Sequence, residues 1–191
     1  NSEAVASLLA AEAREIAVKQ QAITDALGLL PGSRVADIGA GTGLFLASMA
    51  RAVQAEGKVY AVEISPAFLD HLRARAAGEN LTRVEVIVGR ERSLELAPQS
   101  IDVAFVCDTY HHFEFPRSML ASIFSALRPG GAMVVVDFER IPGKSRTWVI
   151  DHVRAGKDEV VREIVEAGFV LDREIAIEGL VENYVLRFRR P

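Results

Sequence analysis

Val35-Ala36-Asp37-Ile38-Gly39-Ala40-Gly41-Thr42-Gly43-Leu44 reads as a strand that runs into a glycine turn and then a helix. Glycines at alternate positions remove the side chains that would hold a ligand off the backbone, and the free N–H groups of the following helix point into the same space. A plain strand-to-helix turn rarely needs three glycines, so a ligand that is flat or negatively charged at one end is expected there. The dinucleotide fingerprint would require a third glycine three positions after Gly41, where this chain has Leu44. What remains is G-x-G-x-G with Asp37 two residues ahead of it. Glu63 closes the next strand, where a carboxylate can accept hydrogen bonds from both hydroxyls of a ribose; the bland alternative is a solvated strand end.

Outward from this turn, short β-branched runs alternate with helical ones. Strands are expected at Arg34–Ile38, Lys58–Glu63, Val84–Val88, Ile101–Cys107 and Met133–Phe138, and helices at Leu44–Gln54, Pro66–Ala77, Arg117–Leu127 and Asp158–Glu166. Ser65 and Pro66 supply an N-cap and a first helical position. Strands that are apolar throughout and separated by helices imply a parallel sheet covered on both faces. Phe169–Ile177 and Asn183–Phe188 are joined by a link too short for a crossover, so they pair antiparallel as a hairpin at the sheet edge. A leading helix from Glu3 to Leu27 carries Val5, Leu8, Leu9, Ile16, Ile23 and Leu27 at helical spacing. Its stripe is expected to cover the core, although partner contact or a pocket wall would use the same residues. The fold class is α/β: a Rossmann-like, seven-stranded, mostly parallel sheet with helices on both faces and an antiparallel C-terminal hairpin strand.

The 191 residues, 50% hydrophobic and 25% charged, suit one domain over 1–191 with a sizeable core. A net charge of -4 gives no help to nucleic-acid binding, and none is expected. Cys107, the one cysteine, rules out an internal disulfide framework, and at the end of a buried strand it behaves as a small apolar residue. No apolar run approaches the roughly 20 residues that span a bilayer. A cytoplasmic location is expected, while Asn1 in place of an initiating Met leaves open a removed targeting segment.

These residues resemble the class I S-adenosylmethionine-dependent methyltransferases. Val35 to Gly43 is similar to their first motif and Val62-Glu63 to their second. Asp102 to Asp108, its continuation Thr109 to Phe113, and Leu127-Arg128-Pro129-Gly130-Gly131 follow in the family's order. The resemblance spans Leu29 to Phe188 and implies a last strand inserted antiparallel beside the fifth. It also implies S-adenosylmethionine as cofactor and S-adenosylhomocysteine as product. By resemblance, Gly39, Ala40, Gly41 and Gly43 wrap the methionine part, Asp37 helps orient its amino group directly or through water, and Glu63 takes the ribose hydroxyls; Asp108 is a further cofactor-binding candidate. The family usually places an acidic residue beside a glycine after the third strand to meet the adenine amino group. Here the run is Gly89-Arg90-Glu91-Arg92, so Glu91 is expected to act one step later, with Ile64 packing on the adenine.

The acceptor side is expected at the carboxyl ends of the strands. Asp108 to Phe115 holds two histidines and three aromatics, and His111 or His112 is the expected base, with Asp108 and Tyr110 shaping the pocket. A packed or capping histidine is the competing reading. Adjacent histidines seldom point at one ion, so no metal is expected. Asp137 to Arg154, with Trp148 and His152, forms a candidate lid, and Asp137 and His152 are candidate substrate residues. With only the leading helix and this lid to define it, the acceptor is expected to be a small molecule, and a homodimer could complete so small a site. Arg187, Arg189 and Arg190 are expected to be a solvated edge. A cofactor-binding protein that no longer transfers methyl groups, acting as partner or scaffold, is the alternative function.

Overall fold

The computed structural model describes residues 14–191. The first half of the expected leading helix, with Val5, Leu8 and Leu9, lies outside them. Its second half forms α1 (Arg14–Val18) and α2 (Gln20–Ala26), separated at Lys19. There follow β1 (Arg34–Ile38), α3 (Leu46–Val53), β2 (Lys58–Glu63), α4 (Pro66–Gly78), β3 (Val84–Val88) and β4 (Ile101–Cys107). A single 3-10 turn at Tyr110–His112 leads to α5 (Pro116–Ala126), β5 (Leu127–Phe138), α6 (Thr147–His152), α7 (Lys157–Glu166), β6 (Val170–Glu174) and β7 (Asn183–Arg189).

The seven strands form one sheet in the order β3-β2-β1-β4-β5-β7-β6. The first five are parallel, and β7 runs antiparallel to both β5 and β6. The expected fold class is therefore the observed one, with β7 seated inside the sheet and β6 left as the edge. Two-residue periodicity sorts the strand side chains onto two cores. Ala36, Ile38, Ala104, Val106, Met133 and Val135 pack on one face with Met119, Leu120 and Ile123 of α5 and Val160 and Ile164 of α7. Val35, Val59, Ala61, Val103, Phe105 and Val134 pack on the other with Leu46, Met49 and Val53 of α3. Ile16, Ile23 and Leu27 are buried in this second core, so the described part of the leading stripe covers core. The buried hydroxyls of Thr24 and Ser48, 2.9 Å apart, pin α2 to α3.

Three details differ from the sequence reading. β5 begins at Leu127 and runs through Pro129-Gly130-Gly131, with a register shift against β4 between Ile101 and Val103. Proline and glycine are tolerated at such an irregularity because the regular ladder is already interrupted there. β6 is shorter than expected and ends at Glu174 after a shift near Arg173. Arg187 and Arg190 are not a solvated edge, because each finds carbonyl acceptors. Arg187 donates to Leu27 O at the end of α2 (3.1 Å), and Arg190 donates to Phe124 O (2.7 Å) while lying over the Phe124 ring. Arg189 is exposed as expected.

This topology positions the site. β1 is followed in space by β2 on one side and β4 on the other, so crossovers leave in opposite directions and open a crevice beyond their carboxyl ends. Phe105 on β4 is fully buried beneath that crevice and meets Phe45 edge-to-face at 4.9 Å. Phe105→Ala is expected to lower unfolding free energy by about 3–5 kcal/mol in urea titrations, the range for an aromatic truncated in a packed core. A loss below about 1 kcal/mol would contradict the packing described.

Candidate functional site

The turn after β1 is held by contacts that only glycine allows. A Cβ on Gly39 would lie 2.3 Å from Thr109 Cγ2, so Thr109, just past β4, closes down on the turn from across the switch point. Gly41 has a φ of +52° and no non-adjacent atom nearer than 3.9 Å to an added Cβ. Its α-carbon therefore faces open space, and what forbids a side chain there is backbone conformation.

Two buried carboxylates stand behind this turn. Glu63, at the end of β2, accepts hydrogen bonds from the N–H groups of Gly41 (2.9 Å), Ile64 (2.8 Å) and Ser65 (3.0 Å). It thus clasps the glycine turn to the start of α4, a role that no local pattern in the chain announces. Ser65, expected to cap α4 with its hydroxyl, makes no side-chain cap bond; its backbone N–H goes to Glu63 instead. A carboxylate has about four acceptor sites, so the three amide donors leave about one site on Glu63 open. Asp37, in β1, is buried, and its Oδ2 has no hydrogen-bond partner among the described residues. Burial, reinforced by the charge of Glu63, pushes its pKa up to about 7.

Beyond β2 and β3 the rim is apolar and open. Ile64 and Val88 are both exposed although large and hydrophobic. Glu91 lies in an exposed turn closed by the paired backbone groups of Arg90 and Ser93. Asp108 follows β4 with a φ of +47°, and its Oδ1 accepts a hydrogen bond from Asn183 Nδ2 at 2.7 Å. Burial pushes the Cys107 thiol pKa well up, in keeping with an inert strand-end cysteine.

The acceptor-side residues separate into two groups. Tyr110 is fully buried and donates to Glu163 Oε2 (2.8 Å), which is also held by Arg154. It belongs to the packing between the 3-10 turn and α7 and does not line a pocket, because its hydroxyl is turned away into that network. Asp137 likewise is buried at the end of β5 and serves His111. Its Oδ1 lies 2.7 Å from His111 Nδ1 and accepts from the Phe138 N–H, while its Oδ2 accepts from the His111 N–H. His111, His112 and His152 come together: ring centroids are 4.1 Å apart for the first pair, 5.3 Å for His111 and His152, and 5.0 Å for His112 and His152. His152 arrives on α6, a short helix inside the expected lid, where Trp148 stands edge-on to Phe138. His111 is buried, whereas His112 and His152 are exposed at the residue level. Partial desolvation of the His112 ring, together with the two neighbouring imidazoles, lowers its pKa to about 4, so it is neutral at pH 7. His152 was legible as a substrate candidate, but its meeting with the other two histidines was not, since 40 residues separate it from His112.

Comparisons with known proteins place this geometry. An uncharacterized 37.1 kDa protein in a transposon of Streptomyces fradiae is 37% identical over 111 residues, covering 58% of this chain and 32% of that protein. The ubiquinone/menaquinone biosynthesis C-methyltransferase UbiE of Cereibacter sphaeroides is 26% identical over 148 residues, covering 76% of this chain and 58% of that protein. The chain thus spans between about a third and three-fifths of the length of these relatives. The crystal structure of an S-adenosylmethionine-dependent methyltransferase from Aquifex aeolicus superposes with a TM-score of 0.82 at 20% identity, over 90% of this chain and 89% of that one. The family model described as a methyltransferase domain matches residues 35–131, from the first strand of the crevice to the glycine pair in β5. With that match covering just over half its length, the chain belongs to the methyltransferase domain family, on the class I fold.

Proposed function

We propose that this protein binds S-adenosylmethionine across the β1–β4 crevice and transfers its methyl group in line to a small-molecule acceptor seated beside the histidine cluster. The observation that carries the reading is Asp37 Oδ2, a buried carboxylate oxygen without a partner directly behind an open glycine turn. Burying such a group costs free energy unless a charge meets it, and the ammonium of the cofactor's amino-acid end is a charge of the right sign. The remaining residues fit the same ligand. Backbone N–H groups of Gly39 to Gly43 suit its carboxylate, Glu63 its ribose hydroxyls, and exposed Ile64 and Val88 its adenine face. Glu91 and Asp108 stand at the adenine and methionine ends of the same rim.

When bound, the cofactor supplies the transferable methyl on its sulfonium. The chain's part is to hold the acceptor's nucleophilic atom in line behind that carbon, exclude water and help the atom lose its proton. His111, oriented by Asp137, together with His112 and His152, presents imidazole nitrogens for that purpose on the acceptor side. A small organic acceptor is in keeping with the quinone-pathway name of the UbiE relative. The family match and the intact crevice also weigh against a non-transferring scaffold, for which the test below has a distinct outcome.

Two experiments test the reading. Because Asp37 is protonated below pH 7 in the free protein, the ammonium must draw it into its charged form. Calorimetric affinity for S-adenosylmethionine is therefore expected to tighten as pH rises from about 5.5 to 7, with NAD giving no heat. Asp37→Asn is expected to weaken binding at pH 7 at least about tenfold and to flatten that slope. The same substitution should stabilise the ligand-free protein. An acid whose folded pKa is raised binds more protons folded than unfolded, so stability is lost as pH climbs from about 4 to 7. At pH 8 the gain is expected to be roughly 2–4 kcal/mol, at about 1.4 kcal/mol per pKa unit. Unchanged affinity in this variant would contradict the placement of the ammonium.

For the acceptor side, labelled cofactor is incubated with panels of phenols, thiols, amines and quinols. His112→Ala is expected to reduce kcat on an active acceptor by about 100-fold, the lower end for a proton-transfer group, with cofactor affinity held within about twofold. Background transfer across every panel by the parent protein, despite tight cofactor binding, would favour the scaffold.

A further inference from the structure

Three of the chain's four histidines meet at one point of the fold, although they come from two distant segments. One ring nitrogen from each of His111, His112 and His152 lies within 4.8 Å of the others. Among the described residues the hydrogen-bonded ring nitrogen of the three is His111 Nδ1, held by Asp137 Oδ1 at 2.7 Å. That bond occupies Nδ1 and leaves Nε2, on the opposite edge of the ring, as the nitrogen of His111 that Asp137 does not engage. Trp148 and Phe138 pack beside the cluster, and His152 stands on α6 within reach of both other rings.

We propose that His111, His112 and His152 form a three-imidazole site for a divalent first-row transition ion of the zinc type, with Asp137 as the outer carboxylate that orients His111. Three features carry this beyond a chance grouping. Imidazole suits zinc and its neighbours in the first transition row, while magnesium and calcium demand oxygen ligands that this cluster does not supply. A ligating histidine almost always gives its second ring nitrogen to a carboxylate or carbonyl, and Asp137 already stands in that place with its other hydrogen bonds made to backbone N–H groups. Three protein ligands leave a fourth position of a tetrahedral ion open, the arrangement of catalytic rather than structural zinc sites. Bonds of about 2.0–2.1 Å put ligand nitrogens roughly 3.3–3.4 Å apart, so from separations of up to 4.8 Å the rings need to close by up to about 1.5 Å. Rotation of the exposed His112 and His152 side chains supplies that.

The expectation of no metal rested on two adjacent histidines seldom converging without help; His152 is the help. Ion binding stands on the cluster alone. Its use rests on the methyltransfer reading, with the three imidazoles promoting proton loss as ligands of the ion and not by taking the proton themselves: an acceptor hydroxyl or thiol at the open position gives up its proton to solvent, and its lone pair bonds to the methyl carbon. The carbon–sulfur bond breaks in the same step, its electron pair returning to sulfur, so that the sulfonium becomes a thioether.

The test uses the full chain, stripped with chelator and titrated with zinc chloride against a chromophoric competitor, then loaded separately with cobalt(II) and read by visible absorption. One zinc per chain is expected, with the cobalt form giving the intense bands of a four-coordinate ion. His112→Ala and His152→Ala are each expected to lose at least about 100-fold in zinc affinity and to abolish those bands. Asp137→Asn is expected to lose about 10- to 100-fold, the usual cost of an outer partner. His71→Ala, on the exposed face of α4, is expected to change nothing. Thermal melting and S-adenosylmethionine calorimetry on each variant report whether it has folded. Absence of stoichiometric zinc binding in the parent, or binding that survives His152→Ala in a folded variant, overturns the site. If zinc fails while cofactor binding and methyl transfer persist, the ion alone is wrong; if zinc binds and the cofactor does not, the methyltransfer reading fails and the ion site stands.

Discussion

The rest of the structure depends on the Glu63 carboxylate reaching from the end of β2 to the backbone N–H of Gly41. One charged group there satisfies three amides that would otherwise stand unpaired at a strand end, a glycine turn and a helix start. It fixes the turn in the open shape that a ligand's polar end can approach, and it places negative charge beside buried Asp37. Burial, with the nearby charge of Glu63 adding to it, keeps Asp37 half protonated near neutrality. Folding thus tolerates a strained electrostatic arrangement at the point where a cation is expected, the usual relation between a binding site and the stability of its scaffold.

The sheet transmits this arrangement to the acceptor side. β4 lies beside β1, so Thr109 presses on Gly39 from one side of the switch point while the 3-10 turn that follows carries His111 and His112 to the other. β5 then delivers Asp137 to His111. The glycine turn and the Asp137–His111 pair are consequently outputs of neighbouring strands, and the sheet sets their separation.

Much of this was legible in the chain itself. The apolar runs and their helical partners gave the sheet, the short link between the last strands gave the hairpin, and the glycine spacing separated this crevice from a dinucleotide site. Asp37 and Glu63 stood out as candidates because Asp37 is next to last in its strand, two residues before the glycines, and Glu63 ends the following strand. What could not be read were contacts between side chains far apart in sequence. Tyr110 looked like a pocket residue because polar aromatics near a strand end often are, yet the Glu163 and Arg154 pair on and before α7 draws its hydroxyl inward. Arg187 looked solvated because terminal strand arginines usually are, but the end of α2 offered an unpaired carbonyl. The convergence of His152 with His111 and His112 depends on how α6 folds back, which no local pattern encodes.

The decisive measurement is a crystal structure of the protein with S-adenosylhomocysteine bound. The account predicts the ligand's ammonium within hydrogen-bond distance of Asp37 Oδ2, its carboxylate over the Gly39–Gly43 amides, both ribose hydroxyls on Glu63, and its sulfur facing the side of the crevice that holds the histidines. Ligand density elsewhere on the surface, or in the crevice with Asp37 still unpaired, would contradict it.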